Sequence, residues 1–189
     1  VRTTLFIAPY TVQIPPNNLY DIAILHVPID DTHTAFHFIA WGDASTTPDT
    51  ESWRKFLGTQ IGIDLDARFR KFRSRENNYW QDRRIMQLGT SFTGIKGIPN
   101  QDIAMWETMG PIADRTHDRL GASDLAIVEF RRQMLQAAKT MQQGGTAIGA
   151  EEPRIPHYKL KSFQGIVTKE TDWRELGTAP EEAEYYVEE

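Results

Sequence analysis

One carboxylate stands out in the segment GIPNQDIAMWETMG, residues 97–110. If Asn100 caps a helix, four residues at the spacing i, i+3, i+4 and i+7 form one face of it: Asp102, Met105, Trp106 and Met109. Three of the four are large and apolar, so this face is expected to point away from water. A carboxylate in such a place needs a partner, and a metal ion is one of the few that suffices. The spacing therefore raises the possibility of a metal ligand at Asp102.

Asp102 also has a simpler interpretation. An acid in the first turn of a helix interacts favourably with the helix dipole and with free backbone N–H groups. Against this stands the approach to the helix, where Gly94, Gly97 and Pro99 are typical of a chain that sets the position of a ligand. From the residues alone, both interpretations stay open.

The five histidines give no second metal ligand. His33 and His37 have the i, i+4 spacing of ligands on a helix. Their surroundings predict turn and strand, where residues four apart lie roughly 13 Å from each other. His26 and His37 are predicted to be half-buried, hydrogen-bonded side chains of a sheet. The Asp-Arg pairs at Asp82 and Asp114 are expected to join helices or to lie at a subunit interface.

Composition excludes several classes of protein. The chain has 189 residues, a net charge of −5 and no long basic run, which argues against nucleic-acid binding. Its apolar runs are too short to span a bilayer, so no membrane association is expected. The absence of cysteine fits a cytoplasmic protein and rules out an iron–sulfur cluster held by this chain. The first residues, VRTTLFIAP, read as strand and lack an initiator methionine, so we expect a piece of a longer polypeptide.

Elements that would position Asp102 follow from the pattern of apolar residues. Alternation and β-branched residues predict antiparallel strands at 1–8, 11–14, 21–29 and 34–41. Helices are predicted at 51–57, 79–88, from 100 to Pro111, and at 125–143. The last helix should carry an inward apolar stripe made of Leu125, Val128, Met134, Leu135 and Ala138. The fold class is therefore α+β, with one domain portion over 1–145 and an extended tail over 146–189.

Longer strings add a resemblance. QDR, GIPNQD, MGPIADR and LGASD occur in this order between Asn77 and Leu135. In this order they resemble the C-terminal part of the catalytic domain of Rieske non-haem iron aromatic-ring-hydroxylating oxygenase α subunits, of the phthalate 4,5-dioxygenase type. The resemblance extends from Val1 to about Met141.

The resemblance implies a fold and a metal. The family's catalytic domain has a helix-grip (START/Bet v1-like) fold, an antiparallel sheet around a long C-terminal helix, which would be incomplete here. Mononuclear Fe(II) is held in that domain by two histidines and one carboxylate, and the carboxylate matches Asp102. No residue of this chain matches the two histidine ligands, and without cysteine the [2Fe-2S] Rieske cluster would lie in a missing N-terminal part. We therefore expect the chain to be inactive by itself.

The implied activity belongs to the intact protein. Electrons would come from a ferredoxin or a flavin iron–sulfur reductase, and O2 would be used to hydroxylate an aromatic acid such as phthalate. Intact subunits would form a homotrimer or hexamer. Two alternatives stay open at this stage. One is an aryl-ether O-demethylase on the same scaffold, and the other is a non-catalytic START-like pocket for an apolar ligand. The second is disfavoured if Asp102 is buried, because an unpaired buried carboxylate costs several kcal/mol.

Overall fold

The fold was examined in a computed structural model, which describes residues 1–15, 20–150 and 155–177. The chain divides into two compact units. The first unit combines Val1–Thr47 with His117–Glu189, and the second is Pro48–Thr116. Among the described residues, no helix is both long and apolar enough to cross a membrane.

The first unit is built on a four-stranded antiparallel meander. Its strands follow one another in chain order: β2 (Leu5–Ile7), β3 (Thr11–Ile14), β4 (Asp21–Pro28) and β5 (Thr34–Trp41). The β4–β5 turn forms because the Asp30 carboxylate accepts the backbone N–H groups of Thr32 and His33, each at 2.8 Å. These bonds and the His33 ring hold the pKa of Asp30 at about 2. The predicted meander and this turn are confirmed.

A second, two-stranded sheet ties the two ends of the first unit together. It pairs β1 (Arg2–Thr3) with β6 (Phe163–Gln164) in antiparallel register. The Thr3 hydroxyl accepts the backbone N–H of Phe163 at 2.9 Å. Nearby, the buried Ser162 hydroxyl donates to the Ile14 carbonyl at 2.6 Å. The predicted strand 1–8 is thus split between two sheets, and the predicted extended tail contains a paired strand. The acidic end, residues 178–189, lies outside the described residues.

Helix α4 (Leu125–Gln142) follows a short 3-10 turn, Ala122–Asp124. Its bounds agree with the sequence prediction, but its predicted inward stripe is wrong. None of its residues is fully buried, and Leu125 and Leu135 are 69% and 64% exposed. A ring contact to the sheet places Phe130 edge-on to Phe6, with the ring centroids 5.0 Å apart.

The second unit carries three helices and several irregular segments. They are α1 (Thr50–Leu57), a 3-10 segment (Arg75–Trp80), α2 (Arg83–Gln87) and α3 (Ile98–Thr108). Two further 3-10 turns, His157–Lys159 and Glu175–Gly177, belong to the first unit. Helix α1 is delimited as the sequence predicts, with Asp49 capping its first N–H groups and Gly58 closing it at φ +68°.

The helix predicted at 79–88 is confirmed for its second half, α2, but its predicted start is wrong. Asn78, Tyr79 and Trp80 have φ angles of 51°, 54° and 56°, in the left-handed region that side chains other than glycine rarely adopt. Regular helix begins only at Arg83, after Asp82, whose carboxylate accepts the backbone N–H of Arg84 at 2.8 Å. Apolar spacing alone does not register these left-handed residues, and this explains the error.

The mixture of helices with antiparallel sheets confirms the α+β class. The helix-grip arrangement and the domain boundary at residue 145 remain predictions.

Candidate functional site

Helix α3 begins earlier than the sequence predicts. Gly97, at φ +83°, is its N-cap, and Ile98 and Pro99 form the start of its first turn. Asn100 is therefore inside the helix and not its cap. Its backbone N–H donates to the Gly97 carbonyl at 3.1 Å, and its side chain is 4% exposed. Proline fits this first turn because the N–H that it lacks would have no partner there.

Asp102 lies on the helix face that the spacing predicts, but this face points outward. Asp102 itself is exposed. Met105, Trp106 and Met109 are 67%, 41% and 49% exposed. The expectation that apolar neighbours bury this carboxylate is thus wrong for this chain. We call these four residues the outer face of α3.

The first-turn interpretation of Asp102 is wrong as well. The first turn of α3 contains no acidic residue, because the helix starts at Ile98. Among the described residues, none donates a hydrogen bond to the Asp102 carboxylate or forms an ion pair with it. An accessible carboxylate without such partners is a hard oxygen donor, suited to one position around an iron(II) ion. The described residues contain no group of three His, Cys, Asp or Glu that could hold a metal, so further ligands would have to come from elsewhere.

The opposite face of α3 is buried and polar at its start. We call Asn100, Ala104 and Glu107 the inner face of α3, of which Asn100 and Ala104 are buried and Glu107 is exposed. The Asn100 amide donates to three backbone carbonyls: Leu57 at 3.3 Å, Gly58 at 2.8 Å and Lys96 at 2.9 Å. Ala104 is 5% exposed and packs without a polar group. The Asn100 hydrogen bonds to Leu57 and Gly58 satisfy carbonyls at the C-terminal end of α1, where no helical N–H is available to them.

Glu107 anchors the other end of the inner face. It forms an ion pair with Lys71 at 2.5 Å. Tyr79 is 7% exposed, and its hydroxyl has no hydrogen-bond partner of good geometry among the residues that the structure describes. Burial raises the pKa of the Tyr79 phenol, and the nearby Glu107 carboxylate raises this pKa further. The inner face therefore lies against a desolvated and partly charged surface.

A buried ion pair supports the same region. Arg73 Nη1 lies 2.8 Å from Asp64 Oδ1, and the two residues are 5% and 1% exposed. The guanidinium also lies 4.7 Å from the centroid of the Trp80 ring and 3.4 Å from the Gly58 carbonyl. Neither this pair nor the role of Asn100 was found by sequence reasoning. The mixed charges of the string DLDARFRKFR were the available signal, but they do not show which charges are buried.

The three histidines singled out from the sequence, His26, His33 and His37, all lie in the first unit. His33 lies in the β4–β5 turn beside Asp30, as the turn pattern predicts. His26 pairs across the sheet with Phe36, and His37 pairs with Leu25, so the two histidines point to opposite faces. His26 is half-buried, as predicted, and burial lowers its pKa. His37 is exposed, so the prediction that it is half-buried is wrong.

The aspartates of the two Asp-Arg pairs accept hydrogen bonds from residues close to them in the chain. Asp82 caps α2, and the Asp114 carboxylate accepts the hydroxyl and the backbone N–H of Thr116. Two cavities, of about 230 and 210 Å3, lie in the first unit, beside α4 and beside β1. Asp102 lines neither of them.

Comparison with known proteins decides the family. The family of domains like the LigXa C-terminal domain matches residues 1–189. This chain belongs to that family. The oxygenase subunit of phthalate 4,5-dioxygenase from Pseudomonas putida is 62% identical over 175 residues. This match covers 93% of the chain and 39% of that relative. The oxygenase subunit of 3-chlorobenzoate-3,4-dioxygenase from Comamonas testosteroni is 29% identical over 185 residues, which is 91% of the chain and 43% of that relative.

The resemblance found from the sequence strings is therefore confirmed. Both relatives of this LigXa C-terminal-like chain are oxygenase subunits of aromatic dioxygenases by name. The chain spans about two fifths of the length of either relative.

Proposed function

We propose that this chain is part of the oxygenase subunit of a Rieske-type ring-hydroxylating dioxygenase that acts on an aromatic acid such as phthalate. The observation that carries the proposal is the 62% identity to a phthalate 4,5-dioxygenase oxygenase subunit over nearly the whole chain. The outer face of α3 supports it, because it presents an unpartnered carboxylate among large apolar side chains.

In this proposal Asp102 contributes one oxygen ligand to a mononuclear Fe(II) site. The other protein ligands, two histidines, come from the part of the subunit that lies outside this sequence. So does the [2Fe-2S] Rieske cluster, because this chain has no cysteine to hold its sulfur-ligated iron. When bound, the Fe(II) supplies the reduction of O2 that ring hydroxylation needs.

The residues of this chain would act by orientation and by exclusion of water. Helix α3 fixes the direction of the Asp102 carboxylate, since its inner face is tied to α1 and to Lys71. Met105, Trp106 and Met109 would surround that carboxylate with apolar surface once the rest of the subunit covers the outer face. A dry surrounding strengthens the attraction between the carboxylate and a cation, because the local dielectric is low.

The partners follow from the same chemistry. An oxygenase subunit of this type takes electrons from a ferredoxin or a flavin iron–sulfur reductase, and it works in the cytoplasm as a homotrimer or hexamer. The metal-free START-like alternative is not eliminated by the burial argument, because Asp102 is exposed in this chain. Iron content and turnover of the intact subunit separate that alternative from the oxygenase.

The test uses the intact gene product that contains this sequence, with its reductase, a reduced nicotinamide nucleotide as the two-electron donor, phthalate and O2. Stoichiometric consumption of O2 with formation of a cis-dihydrodiol is the expected result. Formation of a demethylated phenol from a methoxybenzoate, with no diol from phthalate, would identify the O-demethylase instead. The isolated 189-residue chain is the matched control and should consume no O2. A colourless, iron-free intact protein that binds an aromatic ligand would contradict the proposal.

A further inference from the structure

The start of helix α3 is held by one side chain. The Asn100 amide nitrogen lies within hydrogen-bond distance of the Leu57, Gly58 and Lys96 carbonyls, at 3.3, 2.8 and 2.9 Å. The residue is 4% exposed, and its bonds to the Leu57 and Gly58 carbonyls are buried. An asparagine amide has two N–H donors, which are shared here between these two carbonyls at the C-terminal end of α1 and the Lys96 carbonyl just before α3.

Two glycines allow this close approach. A Cβ atom at Gly97 would overlap the Leu57 carbonyl, and one at Gly58 would lie 2.8 Å from the Asn100 amide nitrogen. Both glycines have positive φ angles, +83° and +68°. The C-terminal end of α1 and the N-terminal end of α3 are therefore in direct contact, and Asn100 is the side chain that locks them.

The contact of Asn100 with the end of α1 determines the direction in which Asp102 points. Each helical residue turns the chain by about 100°, so Asp102, two residues on, lies about 200° around the helix from Asn100. Fixing Asn100 against α1 thus fixes Asp102 on the outer face. We propose that Asn100 is a positioning residue for Asp102, one that sets the rotation and height of α3 and thereby the placement of the carboxylate at the iron site. This inference depends on the proposed function of Asp102.

The chemistry of the site favours an amide in particular. An aspartate at position 100 would place carboxylate oxygens against three carbonyl oxygens, which repel it. An alanine would remove the amide donor from all three carbonyls, leaving the Gly58 carbonyl only its longer 3.4 Å contact with Arg73, and would free the helix to rotate. Replacing a residue that only holds the fold together lowers the stability of the protein. Replacing a positioning residue also changes how a metal binds to protein that is still folded.

The experiment measures metal binding in the intact oxygenase subunit, with its mononuclear iron removed. Manganese(II) alone is the probe, since carboxylate sites accept it and the free ion gives a sharp EPR signal. Asn100→Ala is compared with Asn77→Ala, which removes an exposed amide that donates to the Phe72 carbonyl at 2.7 Å. Asp102→Asn reports on the ligand itself. Circular dichroism and thermal unfolding confirm that each variant is folded.

We expect Asn100→Ala to weaken manganese(II) binding by about 10- to 100-fold, the range found for residues that orient metal ligands. The EPR spectrum of the bound ion should also change, because the carboxylate is displaced. Asn77→Ala should bind within about twofold of wild type. If Asn100→Ala does not fold, Asn100→Ser, which keeps one donor, carries the same comparison with a smaller expected loss.

The possible outcomes distinguish the positioning role of Asn100 from the proposed function. Wild-type affinity and an unchanged EPR spectrum in folded Asn100→Ala or Asn100→Ser, together with lost binding in Asp102→Asn, overturn the positioning role and leave the proposed function standing. Wild-type binding in Asp102→Asn overturns the ligand role that the proposed function gives to Asp102, and with it the premise of the positioning role. An equal loss in Asn77→Ala and Asn100→Ala also overturns the positioning role, because any weakening of the fold would then suffice.

Discussion

The two faces of helix α3 are arranged opposite to what their polarity predicts. The inner face buries Asn100 at 4% exposure, and the outer face leaves Met105 at 67%. The buried Asn100 amide is tolerated because its N–H groups donate to carbonyl oxygens and are not left without a partner. The apolar side chains of the outer face stay 41–67% exposed, and surfaces of this kind mark contact sites in other proteins. The comparison teaches that the inner face holds the second unit together, while the outer face is the one that we propose another part of the subunit covers.

The largest effect on stability should come from the ion pair that supports the inner face. Arg73→Met leaves the Asp64 carboxylate buried and unpaired, and we expect it to lower the free energy of unfolding by about 3–5 kcal/mol. The matched control is Arg54→Met, which breaks the exposed 2.7 Å pair with Glu51 and should cost no more than about 1 kcal/mol. Urea denaturation of the two variants measures both. Equal costs would show that the Arg73–Asp64 pair does not support the inner face.

The second effect concerns the close approach of α3 to α1. Gly97→Ala adds a Cβ atom that overlaps the Leu57 carbonyl at a positive φ angle, and it should cost about 2–4 kcal/mol. Gly89→Ala is the control, because Gly89 also has a positive φ angle, +72°, but has no atom within 4 Å of the added Cβ. It should cost only about 1–2 kcal/mol. Similar losses in the two variants would mean that the helices do not touch as described.

The third effect compares the two faces directly at adjacent residues. Ala104→Leu overpacks the inner face and should cost about 1–3 kcal/mol. Met105→Ala on the outer face should change stability by no more than about 0.5 kcal/mol in this chain. In the intact subunit, where we propose that the outer face is covered, the same Met105→Ala change should cost about 2–5 kcal/mol. A negligible cost of Met105→Ala in the intact subunit would contradict the proposed cover.

The smallest effect is a pH dependence of the inner face. Burial raises the folded-state pKa of Tyr79 above its ordinary value of 10.0. The unfolded chain then loses the phenol proton first as the pH rises, so the contribution of Tyr79 to stability is full below pH 10 and is lost as the pH rises through the folded-state pKa. Chemical denaturation between pH 9 and 11 should show a steeper loss of stability in wild type than in Tyr79→Phe. Equal losses of stability with pH in wild type and Tyr79→Phe would show that the Tyr79 phenol is exposed to water.

The sequence predicts the first unit better than the second. Strands β3 and β5 have the predicted bounds, because alternation and turn residues such as Asp30 determine them locally. The second unit depends on contacts between distant residues, such as Asn100 with Gly58, and on the left-handed run Asn78–Trp80. Neither follows from spacing. The position of Asp102 on one face with Met105 was predictable, but the exposure of that face was not, since burial depends on tertiary contacts that residue spacing does not register.

The most direct test of the central claim is the amount of mononuclear iron per intact oxygenase subunit in Asp102→Asn. The control is Asp31→Asn, which makes the same change at an exposed turn residue of the first unit. If Asp102 is an iron ligand, mononuclear iron falls to about a tenth of wild type or less in Asp102→Asn. The Asp31→Asn subunit keeps its iron, and both variants keep the Rieske cluster. Full mononuclear iron in Asp102→Asn would contradict the assignment of this carboxylate, and with it the role given to the outer face of α3.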